Sequence, residues 1–324
     1  MKRRTFIAAL GSAVAWPLAA RAQQAKMPVI GWLSSTQEDV GIYGSTAVPA
    51  FRRGLGEQGY LEGRDVEVLY RYAEFQIDRL PELAADLVRR RVAVIFCATT
   101  PASLAAKKAT ATIPIVFVAG ADPVQAGLVA SLNRPGGNVT GTTYLVAELA
   151  AKRLELLHEI VPAAKSIGYL YDPDVFTDLQ EIKALATAAG TLGLRLVPAK
   201  VTTEIEAAFA ILVGEGIDAV LIAGSQVRWT QQIIALAAHH TLPAMYAYAV
   251  IAQDGGLISY GADPLDAARV AASYVGRILK GEKPANLPVQ QITRVEMVIN
   301  LKTAKALGLT VPQSILIRAD EVIE

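Results

Sequence analysis

Short apolar runs rich in Val, Ile and aromatic residues recur along this chain from Pro28 onward, and a helical pattern follows each of them. PVIGWLSS (28–35), VAVIFCAT (92–99) and PIVFVAG (114–120) are apolar nearly throughout, as strands of a parallel sheet covered on both faces must be. SIGYLYDP (166–173), LRLVPAKV (194–201), DAVLIAG (218–224), LPAMYAY (242–248) and GLISYG (256–261) continue the series. Between two of them, DRLPELAADLVRRR (78–91) sets Leu80, Leu83, Leu87 and Val88 on one helical face and ends in basic residues that suit a helix C-terminus. Strands alternating with helices specify an α/β fold with parallel sheets and right-handed crossovers.

About ten such units suit two sheets of roughly five strands better than one very wide sheet. The length of 324 residues agrees, because a single core rarely serves so long a chain. The expected architecture is therefore two Rossmann-like parallel-sheet lobes that hinge about a cleft. GGNVTGTTY (136–144) and the Gly- and Pro-rich GEKPANLPVQQ (281–291) are the natural connections. They divide the chain into lobe one, 27–145 plus about 262–290, and lobe two, 146–261 plus about 291–324.

Residues 1–22 read as an address. Lys2, Arg3 and Arg4 precede an apolar run from Phe6 to Ala20, and Ala20-Arg21-Ala22 has the shape of a cleavage site. Arg3-Arg4-Thr5-Phe6-Ile7 resembles a twin-arginine export signal; an ordinary secretion signal with two arginines is the other reading. Either implies a periplasmic protein, soluble after cleavage. The segment holds four basic residues and no acid, so the net charge of +1 becomes 27 basic against 30 acidic residues, or −3, once it is removed. Such a balance gives no reason to expect nucleic acid as a partner. One cysteine excludes an internal disulfide framework and cysteine-based metal clusters, and three histidines leave little for other metal chemistry.

Ligands of open parallel sheets sit beyond the carboxyl ends of the strands, at helix N-termini. Polar residues collect there in this chain: Ser34 and Ser35 after the first strand, Thr99 and Thr100 before Pro101, Asp122 before Pro123, Asp172 before Pro173, Ser225 and Gln226 after the eighth strand, and Asp263 before Pro264. A Ser, Thr or Asp before a helix-starting Pro is also a good N-cap. Taken together they form a ring in which the Ser34, Thr99 and Thr100 hydroxyls and nearby amides can hold a carboxylate, while Asp122 or Asp172 accepts from an ammonium or hydroxyl. Tyr246 and Tyr248 share a face of a regular strand and offer one aromatic wall. The ligand-binding set read from the sequence is thus Ser34, Ser35, Thr99, Thr100, Asp122, Asp172, Ser225, Gln226 and Tyr246. No nucleophile–base pair, zinc motif or phosphate loop accompanies it, so neither an enzyme nor a cofactor is expected.

FRRGLGEQGYLEGRDVEVLYRYAE (51–74), RPGGNVTG (134–141) and LGLTVPQSILIRADEVIE (307–324) carry a resemblance that covers nearly all of the chain after the leader. The sequence resembles the bacterial solute-binding proteins of ABC transporters, a family that includes binders of tryptophan and other aromatic amino acids. The resemblance implies a type I periplasmic-binding-protein fold with two lobes, three crossovers and a ligand clamped between them. It implies a membrane permease and its ATPase as partners. The family pattern often has Asn where this chain has Asp172, and a carboxylate there suits a cation or a hydroxyl donor. No lipobox cysteine follows the leader, the one cysteine being Cys97, which implies a soluble protein without a lipid anchor. The expected function is the periplasmic solute-binding component of an ABC importer, capturing a small metabolite of the amino-acid or small-carboxylate class. The alternative is a sensory module that presents its ligand state to a membrane receptor.

Overall fold

The computed structural model describes residues 27–38, 46–201 and 203–324, and the export signal read at 1–22 lies outside them. Among the described residues thirteen strands form two sheets. The first contains β1 (Val29–Ser34), β2 (Glu67–Tyr72), β3 (Val94–Cys97), β4 (Ile115–Ala119), β5 (Val139–Thr143) and the two-residue β11 (Gln290–Gln291), in the order β2-β1-β3-β4-β5-β11. The second contains β6 (Ser166–Tyr171), β7 (Arg195–Lys200), β8 (Ala219–Ile222), β9 (Ala244–Tyr246), β10 (Ile258–Ala262), β12 (Val295–Asn300) and β13 (Glu321–Ile323), in the order β7-β6-β8-β9-β10-β12-β13. The first five strands of each sheet follow the same permutation, so the two lobes are topological copies. Pairing is parallel except where β12 runs antiparallel to β10. That exception departs from the expectation of parallel sheets throughout.

Of the three strands expected to be covered on both faces, β3 and β4 are buried at every residue and β1 at every residue but Val29. On one face of the first sheet, Trp32 stacks on Phe96 at 4.9 Å while Phe51 meets their rings at 5.2 and 4.6 Å. Phe51 belongs to α1 (Ala47–Glu57), which lies against α9 (Pro264–Leu279). α9 follows β10 in the chain yet packs on the first sheet, where the Thr142 hydroxyl donates to the Ala267 carbonyl at 3.0 Å. The backbone thus passes between sheets three times: after β5, at Asp263 and between β11 and β12.

A 3-10 turn at 146–149 leads into α4 (Ala150–Ile160). One local expectation changes. β9 stops at Tyr246 and Tyr248 is the N-cap of α8 (Ala249–Gln253), so these tyrosines do not share a strand face.

Candidate functional site

In lobe one, two neighbouring strand ends are joined by their hydroxyls. The Ser35 hydroxyl donates to Thr99 Oγ1 at 3.0 Å, and Thr99 caps α3 (Thr100–Ala109) by accepting from the Ala102 amide at 3.4 Å. Ser34 and Thr36 pair at 2.8 Å beside them, both fully or nearly buried. β1 and β3 are adjacent in the sheet, which is what brings Ser34, Ser35, Thr99 and Thr100 together. Asp122 is placed differently: one oxygen accepts from the Val124 and Gln125 amides and the other from the Gln125 side chain at 3.0 Å. Its carboxylate is occupied in fixing its own turn.

In lobe two the organising group is one that the sequence reading did not select. Asp178 lies in the first turn of α5 (Phe176–Leu192) and is fully buried. Its Oδ2 accepts the Asp172 amide at 2.8 Å and the hydroxyl of Ser225, whose oxygen also takes the Gln226 side-chain amide at 2.9 Å. Asp172, Ser225 and Gln226, from two separate loops, are therefore gathered on one carboxylate. Asp172 does not cap α5, whose N-cap is Val175; its Oδ1 accepts instead from the Asp174 amide. Tyr246 is buried beneath this surface against Gly256, where even a methyl group would collide with its ring.

Behind Asp178 lies a buried ion pair. Arg153 of α4 meets Glu181 of α5 at 3.0 Å, both about 1% exposed. The Tyr169 hydroxyl donates to the same Glu181 oxygen at 3.1 Å, and Arg153 also donates to the Val146 carbonyl at 3.2 Å. Burial pushes the Asp178 carboxyl up to about 8, with the neighbouring Glu181 adding to it. Glu181 is raised too, first by burial, while Arg153 and Tyr169 oppose the shift. A signal for these acids existed: Asp178, Glu181, Leu185 and Ala189 are the buried residues of α5, spaced three, four and four apart on a single face.

The two polar rims face each other. Gln180 Nε2 of α5 donates to Gln125 Oε1 of lobe one at 2.9 Å. The Arg228 guanidinium of lobe two lies 5.7 Å from the ring centre of Phe75 in lobe one and 5.0 Å from its own neighbour Trp229. Tyr144, after β5, meets Tyr248, after β9, edge to face at 6.4 Å. All these residues follow the carboxyl ends of strands. A cavity under Gln226, Tyr246 and Tyr248 has about 10 Å³, room for one water at most. A groove of about 590 Å³ between Pro28, Pro114, Gly137, Ile278 and Lys283 lies at the opposite, amino end of the first sheet. Size alone does not mark the site; the converging strand ends do.

Cys97 is buried in β3, where desolvation raises its thiol and suppresses the thiolate. Among the described residues no group of three or more His, Cys, Asp or Glu is arranged to hold a metal ion. No described helix is long and apolar enough to cross a membrane.

Comparison with known proteins agrees with this architecture. A tyrosine-binding protein of Clostridioides difficile is 28% identical over 288 residues, 85% of this chain and 82% of that protein. The solved ABC domain of Streptococcus pneumoniae in complex with L-Trp superposes with a TM-score of 0.82 at 26% identity, covering 91% of this chain and 99% of that one. A ligand-free, open substrate-binding protein with adhesive properties from Clostridium difficile gives 0.65 at the same identity, covering 91% and 99%. These neighbours share two α/β lobes of the type I periplasmic-binding kind. The family model described as ABC transporter substrate binding protein matches residues 44–323, and the chain belongs to that family.

Proposed function

We propose that this protein is the exported binding component of an ABC importer and that it closes its two lobes over an aromatic amino acid. The observation that carries the reading is the seam between the lobes. Aromatic residues make up only 6% of the chain, yet Phe75, Tyr144, Trp229 and Tyr248 all stand where the carboxyl ends of the sheets meet. A ring-bearing ligand finds flat, apolar partners there at low entropic cost. Thr99 and Thr100 supply hydroxyls and the α3 N-terminus for its carboxylate. Asp172 supplies an acceptor for its ammonium, joined by Ser225 when Asp178 is ionised.

Further support comes from the lobe arrangement. The chain resembles the L-Trp complex more closely than the ligand-free, open relative at equal sequence identity. The Gln125–Gln180 and Phe75–Arg228 contacts span the seam, as a closed clamp requires. The leader at 1–22 supports export, and family membership supports a permease and an ATPase as partners. A thermal-shift and calorimetry panel of tyrosine, tryptophan, phenylalanine, aliphatic amino acids and small carboxylates tests the ligand class. The aromatic amino acids should raise Tm and bind with micromolar or tighter affinity. A rise with aliphatic amino acids or carboxylates alone overturns the aromatic assignment, and no rise with any of them overturns the amino-acid reading.

A further inference from the structure

Asp178 stands out among the buried groups that the ligand reading does not use. It is sealed from water, yet both loops of the lobe-two rim hang on it. The Ser225 oxygen takes the Gln226 side-chain amide at 2.9 Å and lies in short contact with Asp178, so its hydroxyl proton has two possible destinations. With Asp178 ionised, the Ser225 proton must point inward, and the hydroxyl presents a lone pair to the cleft. With Asp178 protonated, its own proton lies between the two oxygens. Ser225 then accepts from Asp178 and Gln226 and turns its proton outward.

We propose that Asp178 is a positioning residue for the ligand site: its buried carboxylate holds the Asp172 loop by the backbone amide and sets whether Ser225 offers a ligand an acceptor or a donor. The proposal rests on the cleft being the ligand site, and it adds a rule for selectivity. An inward proton suits a ligand ammonium at this wall, whereas an outward proton meets that ammonium donor to donor. Asp178 therefore tunes the rim for cationic ligand groups without touching them.

The surroundings of Asp178 bear on when it ionises. On its own helix Glu181 stands one turn on and discourages a second negative charge. From α4, Arg153 is engaged with Glu181; from β6, Tyr169 donates to Glu181; Asp172 lies on the preceding loop, and Ser225 and Gln226 face it from the turn after β8. Burial leads these influences and places the ionisation of Asp178 at about 8, inside a pH range where an amino-acid ammonium keeps its charge.

The test is isothermal titration of the full mature chain with L-tyrosine and L-tryptophan from pH 6.5 to 8.5, for the wild type, Asp178→Asn and Ser225→Ala. Wild-type affinity should rise by about three- to ten-fold across that range as the inward-pointing state fills. Both variants should lose the pH dependence, and Asp178→Asn, which keeps the shape, should bind weakly throughout. A flat wild-type profile, or an Asp178→Asn profile that keeps the wild-type slope, overturns the proposal. A second readout needs no ligand: the Asp172 amide proton shift should titrate with a midpoint near 8 in the wild type and stay fixed in Asp178→Asn. If neither amino acid binds, the aromatic-ligand reading falls and the amide titration alone decides this one. An amide that does not move between pH 6 and 9 overturns it.

Discussion

Arg153 and Glu181 are paired with no measurable solvent, and each keeps one polar atom without a partner among the described residues: Arg153 Nη1 and Glu181 Oε1. A buried pair gains little over apolar residues of the same volume, but breaking one half strands a charge. Arg153→Met should therefore lower unfolding free energy by about 3–5 kcal/mol in urea titration, and Arg153→Met with Glu181→Leu should recover most of it. A single variant as stable as the wild type would show that water reaches the pair. Asp178 makes a separate demand. Its folded value near 8 lies above the ordinary 3.8 of an unfolded aspartate, so between those values folding takes up a proton. The stabilisation is complete below about pH 4 and is lost as pH rises through 8; Asp178→Asn should flatten that part of the pH–stability curve. Caps such as Thr99 and Asp263 were legible in sequence because capping is local. Asp178 and Glu181 were not read because acids on a helix are usually solvated, and only the later Leu185 and Ala189 mark their face as the buried one.

At the level of elements, the apolar runs located the strands well, since a strand covered on both faces has little freedom in composition. β11 and β13 escaped because two or three residues at a sheet margin carry no periodicity, and the antiparallel β12 because pairing direction leaves no trace in a short run. Packing of α1 on α9 was equally silent in the sequence. Gly54 is its contact point: a methyl group there would sit 2.1 Å from the Arg269 carbonyl oxygen and 2.8 Å from the Ala272 methyl. Neither the carbonyl nor the helix backbone can yield locally, so Gly54→Ala must push α9 off the first sheet. The expected loss is about 1–3 kcal/mol or more. Gly56, two residues on, meets only Leu61 at 4.0 Å, and alanine there should stabilise α1 by about 0.5–1 kcal/mol. Thermal unfolding of the two variants compares the terms within one helix; equal effects would remove the close approach as the reason for Gly54.

Across the whole molecule, two lobes that share a five-strand topology meet at their strand ends, and the energy of that meeting belongs to the closed state. Any contact across the seam shifts the balance between open and closed forms, and ligand affinity scales with the fraction that can close. Gln125 provides a clean perturbation because its side chain both accepts from Gln180 across the seam and donates to Asp122 within its own lobe. Gln125→Ala removes both exposed hydrogen bonds; the one across the seam is worth about 0.5–1.5 kcal/mol, so affinity should fall by roughly two- to ten-fold. Phe75→Ala removes the ring facing Arg228, a contact worth about 0.5–2 kcal/mol, and should act in the same direction. Gln125 is exposed, so its variant's urea midpoint without ligand should stay close to wild type; Phe75 packs against the core, so its variant should also lose some stability without ligand. Small-angle scattering separates the causes: if the seam sets closure, both variants are larger than the wild type without ligand and match it at saturating ligand. Weaker binding with unchanged scattering in both states would instead assign these residues to direct ligand contact.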